Sequence, residues 1–136
     1  ETAVLTPHPG EMAIMTGLSV EEIQEDRLEI AREYAQKWGH VVVLKGAFTV
    51  IAAPTGETYT LPVASPALAR AGSGDVLAGL IVGLRAQGLD ALQSAVAGSW
   101  IHAQAGLTAA EMIRASASLL AGDILAFVPN VLADLE

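Results

Sequence analysis

The sequence contains no cysteine, which excludes disulfides, zinc–thiolate sites and cysteine nucleophiles. Positive charge is scarce: 7 Lys and Arg stand against 15 Asp and Glu, for a net charge of −8. Nucleic acid and anionic membrane surfaces both need a basic footprint, so neither is expected as a partner. Aromatic residues make up only 4% of the chain, too few for a base-stacking platform. Long apolar runs are missing as well. A membrane span takes roughly 20 apolar residues in a row, whereas the richest stretch, Val76 to Leu84, runs into Arg85 and Gln87. The N-terminus, Glu1-Thr2-Ala3, has neither the basic region nor the apolar core of a signal peptide. The chain is therefore expected to be soluble and cytoplasmic. No His–Glu–x–x–His motif or carboxylate cluster marks a transition-metal site, and no metal ligand is assigned.

What is abundant is apolar character: 52% of the 136 residues are hydrophobic, and the chain does not begin with Met. For a mass of 14.0 kDa, a mean hydropathy of +0.47 is high. Both features suggest a piece whose surfaces are covered by something else.

The patterning reads as α/β. Ala3-Val4-Leu5 is a short strand that stops at Thr6-Pro7 and Pro9-Gly10. Ser19 with Glu22 fits a capping box, and Val20, Ile23, Ile30, Ala31, Tyr34 and Trp38 follow helical spacing as far as Gly39. Val41-Val42-Val43-Leu44 reads as a strand covered on both faces. A strand–helix–strand order implies a parallel pair. Strands from Phe48 to Ala53 and from Thr58 to Val63 flank the Pro54–Glu57 turn, and Ala64 to Ala71 reads as a loop. The remainder is helical: Val76 to about Ala86, apolar almost all round; Asp90 to about Leu107; Ala109 to Leu120; and a last helix capped by Asp123 and kinked or restarted at Pro129. Gly79 and Gly83 share one face of the first of these and would permit close packing.

Three unusual segments each follow a strand: Thr6 to Glu11, Lys45-Gly46, and Gly72-Ser73-Gly74-Asp75. Ligands of open α/β sheets bind beyond the carboxyl ends of the strands, so the three are candidates for one crevice. A glycine-rich turn opening a helix aims backbone N–H groups at an anion. Asp75 would repel that anion, but it suits a group that takes a proton from a hydroxyl about to attack phosphorus. Alternatively, it is the N-cap. Lys45 either pairs with a phosphate or is a solvated hairpin lysine. His8, held between Pro7 and Pro9, and Glu11 either share the pocket, with Glu11 reaching a Mg²⁺ through water, or form a rigid turn leading to a helix. His40 and His102 read as structural, His102 as a satisfied core histidine.

Leu5 to Ala13 resembles the "TPHPGE" signature of the NAD(P)H-hydrate dehydratases. Val43 to Ile51 is similar to their "LKG…T" segment, and Pro66 to Gly79 to their "NPALAxAGSGDVLAG" segment. The order and spacing agree, and the match covers essentially the whole chain but only the second half of the family's domain. The resemblance implies a ribokinase-like fold, with residues 1–136 as the C-terminal portion of a single domain. It implies repair of the hydrated form of NADH or NADPH: ADP or ATP, with Mg²⁺, phosphorylates the ring hydroxyl, and phosphate then leaves. His8 and Glu11 would fall in the hydrate-binding loop. Lys45, Gly46, Ala47, Phe48 and Thr49 would fall in the nucleotide segment, with Gly72, Ser73 and Gly74 in the anion hole. Asp75 would contact the substrate and act as base. Ser65 stands where the family often has Asn. The alternatives are a vitamin or sugar kinase of the same superfamily, or a nucleotide-binding fragment without catalysis. The chain alone is expected to be inactive and to associate, as a homo-oligomer (a tetramer among the options) or with the family's N-terminal half.

Overall fold

The computed structural model describes residues 1–114 and 116–136. Its centre is a four-stranded sheet in the order β1 (Val4–Leu5), β2 (Val41–Leu44), β3 (Val50–Ala52), β4 (Thr58–Thr60). β1 and β2 are parallel, with Val4 opposite Val41, as the strand–helix–strand order implies. β2, β3 and β4 form antiparallel pairs, with Leu44 opposite Val50 and Val50 opposite Thr60. The carboxyl ends of β1, β2 and β4 therefore lie at the same end of the sheet.

Side chains alternate across a strand, so β2 divides its four buried residues between two cores. Val42 and Leu44 pack with Met12, Ile23, Ala31, Tyr34 and Ala35 from α1 (Pro9–Thr16), α2 (Val20–Glu25) and α3 (Arg27–Trp38). Val41 and Val43 pack with Leu77 and Ile81 of α4 (Ser73–Ala86) and with Ala91 and Ala95 of α5 (Ala91–Ile113). A third core, with Ile101, Ala105, Ile124 and Val128, joins α5 to α6 (Ala121–Ala133). The result is a sheet between two helical layers.

Several expectations are corrected. The single helix read from Val20 to Trp38 breaks at Asp26, whose φ of −142° and ψ of 57° are not helical. Gly79 and Gly83 admit no close neighbour: a Cβ on either would meet nothing within 4 Å. The close approaches are at Gly98, where a Cβ would come 2.8 Å from Ile81 Cγ1, and at Gly106, where it would run into Leu68 Cδ2. α4 is not enclosed on all sides, since Val82 is 65% exposed. α5 absorbs the start of the region read as a separate helix, and a 3₁₀ turn follows at Ser116–Ser118. The loop before α4 holds another, at Pro66–Leu68. Asp123 lies inside α6 and accepts the Leu120 N–H at 2.7 Å, and α6 continues through Pro129 without restarting.

Candidate active site

The carboxyl ends of β1, β2 and β4 open into a crevice of about 850 Å³. Its lining includes His8, Lys45, Gly46, Ala47, Thr49, Gly72, Ser73, Gly74 and Asp75. All three sequence segments thus meet in one place, at a size ordinary for a small-molecule site. Phe48 does not line it; its side chain is exposed. Glu11 stands at the margin, in contact with two residues that do line it.

The first segment is set by a capping box at the start of α1. His8 Nδ1 accepts the Glu11 N–H at 3.1 Å, and Glu11 Oε2 accepts the His8 N–H at 2.7 Å. With Nδ1 accepting, the proton of the neutral ring sits on Nε2, 3.6 Å from Glu11 Oε1. Glu11 Oε2 also lies 3.8 Å from Lys45 Nζ. The His8 amide bond holds the Glu11 carboxyl below its ordinary pKa; burial opposes it, and the Lys45 ammonium adds a smaller lowering. The turn leads to a helix, and of its two polar residues His8 lines the crevice while Glu11 does not.

Lys45 leaves the end of β2 and reaches the third segment. A Cβ on Gly74 would lie 3.1 Å from its ammonium. The Lys45 charge therefore spans Glu11 and the glycine turn. In that turn Gly72 is the N-cap of α4, in the left-handed conformation at φ 82° that favours glycine. Asp75, the alternative N-cap in the sequence reading, sits in the first helical turn instead. Its exposed carboxylate makes no hydrogen bond or ion pair with the described residues. The amides of Gly72 and Gly74 likewise have no acceptor among them, which leaves donors facing the mouth at the positive end of a helix dipole.

His102 was missed as a lining residue. It is 7% exposed, and its Nε2 lies 3.0 Å from the Ser73 carbonyl, so it is the satisfied core histidine expected. It also forms part of the crevice floor with Ser99 and Ala103. Burial pushes its pKa down, the Ser73 bond opposes this, and the Lys45 charge adds to it. The neutral ring donates from Nε2, because a carbonyl only accepts. Ser99, one turn earlier, is buried with no partner for its hydroxyl among the described residues. The available signal was spacing: Gly98, Ser99, His102, Ala103 and Gly106 place small or polar residues on one side of an otherwise apolar helix. Ser65 lines the crevice too, but its hydroxyl accepts the Ala67 N–H at 3.2 Å. No group of three or more His, Asp or Glu residues suited to a metal ion occurs among the described residues.

A family model described as NAD(P)H-hydrate dehydratase matches residues 1–130. The chain is 53% identical over 133 residues to a bifunctional NAD(P)H-hydrate repair enzyme of Moorella thermoacetica, covering 98% of this chain and 25% of that protein. It is 43% identical over 121 residues to an ADP-dependent (S)-NAD(P)H-hydrate dehydratase of Neisseria meningitidis, covering 89% and 41%. Among solved structures it resembles the ADP/ATP-dependent NAD(P)H-hydrate dehydratase of Bacillus subtilis, co-crystallised with ATP/Mg²⁺, with a TM-score of 0.89 and 36% identity over 99% of this chain and 48% of that one. A ribokinase-like superfamily protein of Enterococcus faecalis shares the fold, with a TM-score of 0.77 at 24% identity. The chain thus spans about half the length of the solved relatives and less of the curated ones.

Proposed function

The chain belongs to the NAD(P)H-hydrate dehydratase family, and from that premise we propose that its protein restores hydrated NADH or NADPH at the expense of ADP or ATP. The observation that carries this reading is the unpartnered Asp75 carboxylate beside free turn amides and the Lys45 ammonium. A proton acceptor next to an anion hole suits phosphoryl transfer to a hydroxyl and has no use in a site that only binds anions.

Asp75 takes the proton of the ring hydroxyl as its oxygen attacks the terminal phosphorus. The bond from that phosphorus to the rest of the nucleotide breaks, and the shortened nucleotide departs. Gly72 and Gly74 receive the negative charge on backbone amides, with Lys45 placed against the same phosphates, whereas the Ser73 amide, expected in the same anion hole, is held by the Arg70 carbonyl at 3.0 Å. Gly46, Ala47 and Thr49 line the nucleotide's side of the crevice, and the exposed Phe48 reaches it only through its backbone. His8 and Glu11 form the wall nearest the hydrated ring, where Glu11 holds Lys45 in place. Hydroxide is a poor leaving group and phosphate a good one, so the ring nitrogen expels phosphate. A proton then leaves the neighbouring ring carbon, and the double bond returns.

A magnesium ion brought in on the nucleotide fits the free carboxylate of Asp75 at the crevice mouth. Magnesium would neutralise phosphate charge, and Asp75 would hold it. The test is incubation of the full-length protein with the hydrated cofactor and ADP or ATP. Return of reduced-nicotinamide absorbance with one phosphate per molecule is the expected result. A stable phosphorylated product with no return would point to a small-molecule kinase instead.

A further inference from the structure

Arg27 stands outside the crevice, at the first helical position of α3, where the break at Asp26 delivers it under the Lys45–Thr49 loop. Its Nη2 donates to the Leu44 carbonyl at 3.0 Å and to the Phe48 carbonyl at 3.2 Å. Its Nη1 donates to Gln24 Oε1 at 2.8 Å, which fixes the plane of the fork. The loop is closed over the guanidinium so tightly that a Cβ on Gly46 would lie 2.6 Å from Nη2. A side chain at position 46 would have to displace the guanidinium from these bonds. Two further carbonyls are also occupied: Gly46 O by the Thr49 hydroxyl at 3.4 Å, and Thr49 O by the Leu61 N–H at 2.9 Å. The amides of Gly46, Ala47 and Phe48, by contrast, have no acceptor among the described residues.

A loop that meets phosphate has to present N–H groups and turn its carbonyls away, since carbonyl oxygens repel anions. We propose that Arg27 is the positioning residue of this loop: its Nη2, braced by the bond from Nη1 to Gln24, ties down the carbonyls at both ends, so that the intervening amides are preset for the nucleotide. This rests on the nucleotide-dependent reading above. It also accounts for Phe48 facing solvent while Thr49 lines the crevice, because the bond to Phe48 O fixes the turn of the chain between them.

The braced pair of nitrogens is the operative feature: Nη2 carries both loop bonds while Nη1 is held by Gln24, and lysine has the charge without the second nitrogen. In the full-length protein, Arg27→Lys should weaken ADP and ATP binding about 10- to 100-fold by calorimetric titration, the range expected when charge-assisted hydrogen bonds are lost. KM for the hydrated cofactor should stay within about two-fold, and a cooperative melt should show that the variant folds. Gly46→Ala keeps Arg27 but pushes a methyl into it, and should lose affinity likewise. In the Arg27→Lys background that same glycine change should cost less. Wild-type affinity in a folded Arg27→Lys variant would overturn the proposal, even if Arg27→Met binds weakly, because charge alone would then suffice. Failure of the wild-type protein to bind either nucleotide would overturn the functional reading and this proposal together.

Discussion

Because Gly72 supplies the N-cap of α4 from a left-handed conformation, Asp75 is released from capping and left free at the crevice mouth. Replacing Gly72 by Ala forces an L-residue into that conformation, at about 1–2 kcal/mol. It also brings the new Cβ to 3.3 Å from Ala121 Cβ. The expected outcome is a lowered midpoint in chemical denaturation of the full-length protein, together with weaker nucleotide binding. His102 makes a separate prediction. Burial lowers its folded pKa, so as pH falls below the ordinary value of about 6.5 the unfolded chain takes up a proton that the folded one refuses. Stability should decline on acidification in that window, and His102→Gln, which keeps a donor for Ser73, should flatten the decline. Urea titrations at about pH 7.5 and about pH 5.5 measure this. The lowered pKa of Glu11 acts elsewhere: its contribution is complete above the ordinary carboxylate pKa and fades only as pH falls through the lower folded value.

At the scale of elements, α5 meets α4 in a close joint. Gly98 faces Ile81, with the Ile81 backbone nitrogen only 3.4 Å from where a Cβ would stand. Gly98→Val should therefore destabilise by about 1–3 kcal/mol through overpacking, read as a lowered melting temperature. This joint also shows where the sequence was readable. β2 announced itself because four consecutive apolar β-branched or aliphatic residues buried on both faces leave no other pattern, and the Ser19 capping box appeared as written. Glycines inside helices were ambiguous. Gly79 and Gly83 share a face just as Gly98 and Gly106 do on theirs, and only the partner surface decides which pair is a contact. The Asp26 break was hidden because helical spacing of apolar residues continues across it. Arg27 was hidden with it, since a charged residue on a helix reads as solvated until its partners are known. The three crevice segments were legible because each combines a strand end with proline or glycine, a combination that core packing does not require.

At the scale of the whole molecule, β1 has a partner on one side only among the described residues. Apolar side chains are also open to solvent, with Ile14 87% exposed, Met112 68% and Leu120 69%. Unpaired edges and apolar patches favour association. Sedimentation of the 136-residue chain by itself should show self-association, or binding to a supplied N-terminal half. A monomer that melts cooperatively would contradict this. Steady-state kinetics of Asp75→Asn in the full-length protein bear on the central claim most directly. Asn and Asp cap helices about equally, so the amide preserves any structural role while removing the base. The account predicts that turnover falls by a factor of about 10² to 10⁴ while nucleotide affinity stays within a few-fold. Near wild-type turnover in this variant would contradict it.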